Sequence, residues 1–206
     1  ATPIFSQTVS NPNLFDGASA SDSDAIGNGQ QLADDVTLAT TATARSVTWW
    51  GLFGFNNTPV TPVSFDLIFY GDNGGLPDAG NIISSTNVSF TSLTDTGVDL
   101  NGEDIYEFQA DLTPTLLTAG TTVWFSVLAD TSNDTDDTFL WRGDESGAGS
   151  ARRSDLSDLS DPFASYSNFA PSFVLDDETL VPEPASLSLF VLGALLFRRH
   201  ATNGGR

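Results

Sequence analysis

The segment IYEFQADL, residues 105–112, sets Tyr106, Phe108, Ala110 and Leu112 on one side of an extended chain and Glu107, Gln109 and Asp111 on the other. Successive side chains of a strand point to opposite faces, so this alternation marks a strand with one face buried. A helix would scatter the same residues around its circumference. The pattern recurs. SFDLIFY aligns Phe65, Leu67 and Phe69, and TVWFSVLA aligns Val123, Phe125 and Val127 against Trp124, Ser126 and Leu128. SVTWWGLFGF, VTLAT, NVSF, TFLWR and SFVLD are further runs rich in β-branched and aromatic residues.

Turn chemistry separates these runs. GDNGGLPDAGN, residues 71–81, is dense in residues that accept a positive φ or preset a turn, and Gly120 interrupts the chain ahead of the Val123 run. Long helical periodicity is missing before residue 180. About eight to ten strands at this spacing predict an all-β domain over residues 1–180, an antiparallel β-sandwich of jelly-roll-like type. Residues 16–31 and 142–168 read as loops, with SDLSDLSDP able to form one helical turn.

Charge narrows the partners. The 206 residues carry 27 acids and 7 bases, a net charge of −20. Every base is arginine. Glu183, Arg198, Arg199 and Arg206 fall after residue 181, leaving 26 acids and 4 arginines in the body, a net −22. Such a body repels phosphate backbones, so no nucleic acid is expected as partner. Aromatic residues at 11% separate it from a disordered acidic tail, which lacks the apolar bulk a core requires. There is no cysteine, which removes disulfides, thiol catalysis and zinc–thiolate sites. The chain begins Ala-Thr-Pro and contains no methionine, as expected if a secretory signal peptide has been removed.

Residues 181–206 differ from everything before them. Pro182-Glu183-Pro184 is followed by an apolar run to Phe197 and then by Arg198-Arg199. From Ala185 the run is 13 residues, or about 20 Å as a helix against a bilayer core of about 30 Å. Leu187, Leu189, Phe190, Val191, Leu192, Leu195, Leu196 and Phe197 would encircle such a short C-terminal helix. A helix packed on a protein core needs only one apolar stripe. Paired arginines fit a cytoplasmic stop, placing the body outside the cytoplasm.

This ordered triplet of features resembles the PEP-CTERM sorting signal of bacterial envelope proteins. The resemblance implies that Pro182, Glu183, Pro184, Arg198 and Arg199 form the signal. It also implies an exosortase as partner, transient anchoring in the inner membrane, and transfer to the surface or extracellular matrix of a Gram-negative bacterium that makes exopolysaccharide. The apolar run is shorter than is usual for that signal, and seven residues, His200–Arg206, follow the arginines. The body has a looser likeness, carried by Ala33-Asp34-Asp35, Trp49-Trp50-Gly51, Phe69-Tyr70-Gly71-Asp72 and Leu117-Thr118-Ala119-Gly120. It resembles β-sandwich ectodomains of exported bacterial surface proteins, which implies a fold and a setting but no ligand.

Three chemistries are open to the body. Asp72 and Asn73 beside two glycines, and Asp130, Asp134, Asp136 and Asp137 with Asn133, offer hard oxygen ligands of the kind calcium takes, although neither tract has an EF-hand register. Calcium is therefore the candidate cofactor. Trp50, Tyr70, Trp124 and Trp141 could stack on sugar rings, making exopolysaccharide a candidate partner. Trp49 and Trp50 are adjacent, so a one-sided sheet cannot bury both. Catalysis has little to stand on. The single histidine, His200, lies in the terminal segment, so the body holds no Ser-His-Asp set. A carboxylate pair for glycoside hydrolysis is the remaining enzymatic alternative. The expected role is non-enzymatic: a structural or adhesive surface protein, or else a carbohydrate-binding module.

Overall fold

The computed structural model describes residues 2–8, 17–23, 29–54, 59–133, 137–145, 150–153, 156, 162–166 and 168–180. The sorting motif and the apolar run, residues 181–206, lie outside them, as does the SDLSDLSDP tract apart from Leu156 and Pro162. The described residues contain strands and no helix. In chain order they are β1 (Pro3–Gln7), β2 (Ala18–Ala20), β3 (Gln31–Thr37), β4 (Ala42–Gly54), β5 (Val63–Asp72), β6 (Pro77–Phe90) and β7 (Thr94–Leu100). There follow β8 (Glu103–Leu117), β9 (Thr122–Asp130), β10 (Thr138–Asp144), β11 (Ser150–Arg153), β12 (Ala164–Ser165), β13 (Ala170–Pro171) and β14 (Phe173–Asp176).

Two antiparallel sheets result. One has six strands in the order β12-β11-β3-β9-β5-β6. The other has eight, running β1-β14-β4-β10-β13, with β8 on the other side of β4, β7 beyond β8, and β2 on β10. Pairing rather than composition makes strands of several segments that read as loops. Ser150–Arg153 lies against Gln31–Asp34, and Ala18–Ala20 against Leu140–Arg142. Asp34 and Asp35, expected ahead of a strand, are inside β3.

The alternating runs point where their periodicity demands. Val63, Phe65, Leu67 and Phe69 of β5, Val123, Phe125 and Val127 of β9, and Tyr106, Phe108, Ala110 and Leu112 of β8 join one core between the sheets. Trp49 is in that core at 0% exposure, whereas Trp50 joins a smaller cluster on the opposite face of β4. Side-chain hydroxyls connect the sheets along one margin. Ser84 and Thr115 lie 2.5 Å apart, and the Thr86 hydroxyl donates to Thr113 at 3.1 Å.

Candidate functional site

The outer face of the six-stranded sheet collects several of the residues that the sequence singles out. Register places Trp124 of β9 between Asp35 of β3 and Tyr70 of β5. The hairpin after β5 brings Asp72 to the same indole, whose Nε1 donates to Asp72 Oδ1 at 2.9 Å. Asp72 also accepts the Gly75 amide at 3.1 Å, closing a turn in which Gly74 and Gly75 take φ values of +66° and +86°. Burial raises the Asp35 carboxyl above its ordinary range, and the Asp72 charge adds to the effect.

A second layer covers this face. Gln31 donates through Nε2 to Tyr70 Oη and to Ser126 Oγ, each at 3.0 Å. Arg153 Nη2 donates to Gln31 Oε1 at 2.6 Å. Phe163 packs edge-on against Tyr70 with ring centres 5.6 Å apart. Ala33, Ile68 and Ala151 complete the cluster. Tyr70 and Trp124 are left only 3% and 4% exposed. Their rings are thus occupied by protein, and the proposed sugar platform has no open face at either residue.

Trp141 is corrected in the same way. It is 0% exposed in the main core, packs on Phe125 and Phe173, and donates its Nε1 to the Ser172 carbonyl at 3.1 Å. A strand whose two faces are both covered does not betray in its sequence which aromatic is inside. Trp50 alone of the four keeps a part-exposed ring. Its Nε1 donates to Glu107 Oε2 at 3.0 Å, and the Gln109 amide donates to the other oxygen at 2.8 Å. These three line up on the outer face of β4 and β8.

The oxygen-rich tracts part company. Asp72 and Asn73 sit on the β5–β6 hairpin, and the Asn73 backbone N–H donates to the Leu76 carbonyl at 2.8 Å. Asp130 and Asp137 instead border a recess with Asn133 and Thr131, floored by Phe53, Pro59, Val60, Pro62 and Val63. The recess is too narrow for a sugar ring. Asp130 Oδ1 accepts the Ser132 amide at 3.0 Å. Asp134 and Asp136 lie outside the described residues. Among the described residues no three acidic or histidine side chains converge as a metal-holding group.

The sequence reads Asp34 only as an exposed or turn-bonded carboxylate ahead of a strand, and the structure overturns this. Asp34 faces inward between Leu32 and Val36, and is 1% exposed. Gln7 of β1 donates its amide to Asp34 Oδ2 and to the Pro171 carbonyl, and Asp34 Oδ1 accepts the Asp35 amide at 2.9 Å. Burial raises its pKa to about 7, against the lowering effect of these hydrogen bonds. The available signal was positional: Leu32, Asp34 and Val36 share one parity, so a strand through them must bury the carboxyl. Arg142-Gly143-Asp144 is part of β10, and Arg142 is buried there.

Among the described residues no helix is long and apolar enough to cross a membrane. No family model matches the chain, and no curated protein matches it.

Proposed function

We propose that the chain is a non-enzymatic, exported protein of the cell surface or extracellular matrix, sorted by an exosortase through its C-terminal signal. The observation that carries this reading is the ordered sequence Pro182-Glu183-Pro184, an uncharged apolar run, and Arg198-Arg199. In this reading the body is a β-sandwich of jelly-roll-like type, residues 181–206 supply a short apolar helix that engages the inner membrane transiently, and the role is structural or adhesive within exopolysaccharide. Two features of the body support a non-catalytic role. Its sequence holds no histidine before His200, and three of the four candidate aromatic residues, Tyr70, Trp124 and Trp141, are consumed by packing. The test is mass spectrometry of surface-located protein from the native host. Chains ending near the Pro-Glu-Pro are expected; an intact Arg206 on that material would overturn the sorting.

One observation favours carbohydrate binding as a second reading. Trp50, Glu107 and Gln109 place an indole, a carboxylate and an amide side by side on a sheet face. Stacking plus hydrogen bonding of this kind suits a sugar. Pull-down on the host's polysaccharide by the native body and by Trp50→Ala separates the two readings, because only the second requires the indole.

A further inference from the structure

Arg153 is a cation taken out of water with no carboxylate bonded to it among the described residues. It ends β11 on the outer face of the six-stranded sheet and is 7% exposed. Its Nη2 is spent on Gln31, and its guanidinium carbon lies 5.1 Å from the centre of the Phe163 ring. Its Nε is buried with no hydrogen-bond acceptor. The side chains it touches, Gln31 and Phe163, are neutral, and the negative charge felt on the same face is that of Asp66, which acts on Tyr70. Among the described residues no carboxylate pairs with it, in a chain with 27 acids to choose from.

A buried charge is costly unless paired, and a buried N–H without an acceptor adds to that cost. A second donor stands nearby. Tyr70 is 3% exposed and accepts from Gln31, so its own proton remains to be given. Both Tyr70 and Arg153 pack on Phe163 and both bond Gln31, which brings the phenol and the guanidinium into one cluster. Among the described residues, the cluster lacks a hydrogen-bonded acceptor bearing negative charge.

We propose that Arg153, with the Tyr70 hydroxyl, holds a small monovalent anion, of the size of chloride or of a single carboxylate group, against the outer face of the six-stranded sheet. The enclosure excludes a large ligand and strengthens the pairing, since charge interactions gain as water is removed. Entry passes Phe163. That residue directly precedes β12, whose two exposed residues Ala164 and Ser165 pair with β11 at two positions only. Opening there costs little of the sheet. The inference concerns the body alone and stands apart from the reading of the terminal segment.

The test is thermal unfolding of the full chain at fixed ionic strength in sodium chloride, sodium acetate, sodium glucuronate, or the sodium salt of the bulky sulfonate MES. Fixed ionic strength removes the general screening that any salt gives so acidic a protein. A small anion should raise the midpoint above that in MES by roughly 3–6 °C at ten times its dissociation constant. A rise in chloride alone assigns an inorganic ion; a rise in acetate and glucuronate assigns the carboxylate of an acidic sugar or a free acid. Arg153→Met should abolish the anion-specific rise, and Arg152→Met should keep it. Tyr70→Phe preserves the packing and should weaken the rise, which keeps the test alive if Arg153→Met does not fold. Equal midpoints in all four salts, or an undiminished rise in both Arg153→Met and Tyr70→Phe, would overturn the assignment.

Discussion

Trp49 and Phe108 occupy facing positions on β4 and β8, with ring centres 5.3 Å apart and planes 14° from parallel. Phe65 and Phe90 meet the same indole edge-on at 5.3 and 5.8 Å. The indole therefore joins the two sheets, since Phe65 and Phe90 belong to β5 and β6. Trp49→Ala should cost about 3–5 kcal/mol, the usual loss for truncating a large buried aromatic. Trp50→Ala removes a half-buried ring from the outer face and should cost well under half as much. Urea unfolding of the two variants decides the matter, and similar losses would contradict the alternation that separates them.

Gly51 is fixed by a different constraint. It follows the two tryptophans and lies against β10, where any Cβ would overlap the Phe139 ring and crowd the Leu140 carbonyl. Phe139 is 0% exposed and cannot swing away. Gly51→Ala should therefore destabilise by about 1–3 kcal/mol through overpacking. Gly54, three residues on, offers the comparison: the tightest contact of a Cβ there is the Leu140 side-chain tip at 3.2 Å, which can yield, and the Thr138 carbonyl stands at an ordinary 3.8 Å. Gly54→Ala should fall below about 1 kcal/mol in the same unfolding experiment.

Asp34 makes stability depend on pH in a particular direction. Its folded pKa of about 7 lies above its ordinary value of 3.8. Between those values the folded protein keeps a proton that the unfolded chain has released. Stability from this group is thus full below pH 3.8, falls as pH rises towards 7, and is flat above. Asp35 and Asp176 are also raised by burial, and push the same way. Asp34→Asn mimics the protonated side chain and still offers Gln7 an oxygen. The variant should match the native protein near pH 4, exceed it at pH 8, and show a shallower slope between. Parallel stability curves for the two proteins would mean that Asp34 titrates no differently folded than unfolded.

The long strands were legible because their alternation is strict. Phe65, Leu67 and Phe69, Val123, Phe125 and Val127, and Tyr106, Phe108, Ala110 and Leu112 all face the core as their spacing requires. The short strands were not. Ser150–Arg153 and Ala18–Ala20 carry no apolar period of their own, and exist by pairing with β3 and β10. The same physics explains the aromatic candidates. Trp124 and Tyr70 do point away from the main core, as alternation says, but a second layer led by Phe163 covers them. Residue parity gives the face of a sheet and says nothing of what a distant segment lays over that face. The buried network of Gln31, Ser126 and Arg153 was invisible for that reason, its members being far apart in sequence.

Calcium is best tested at the recess between β9 and β10. Asp130 and Asp137 border it together with Asn133 and Thr131. On the β5–β6 hairpin, by contrast, Asp72 already bonds the Trp124 indole and the Gly75 amide. Calcium tolerates irregular oxygen geometry better than magnesium, which demands a near-octahedral set. A net charge of −20 means that any divalent ion will stabilise the fold somewhat by screening. The discriminating comparison is therefore calcium against magnesium at equal concentration, each against EDTA. Calcium should give the larger rise in melting temperature. Asp130→Asn should reduce that excess, and Asp72→Asn should leave it intact. Equal rises for the two ions would reduce the effect to screening and remove calcium from the account of this protein.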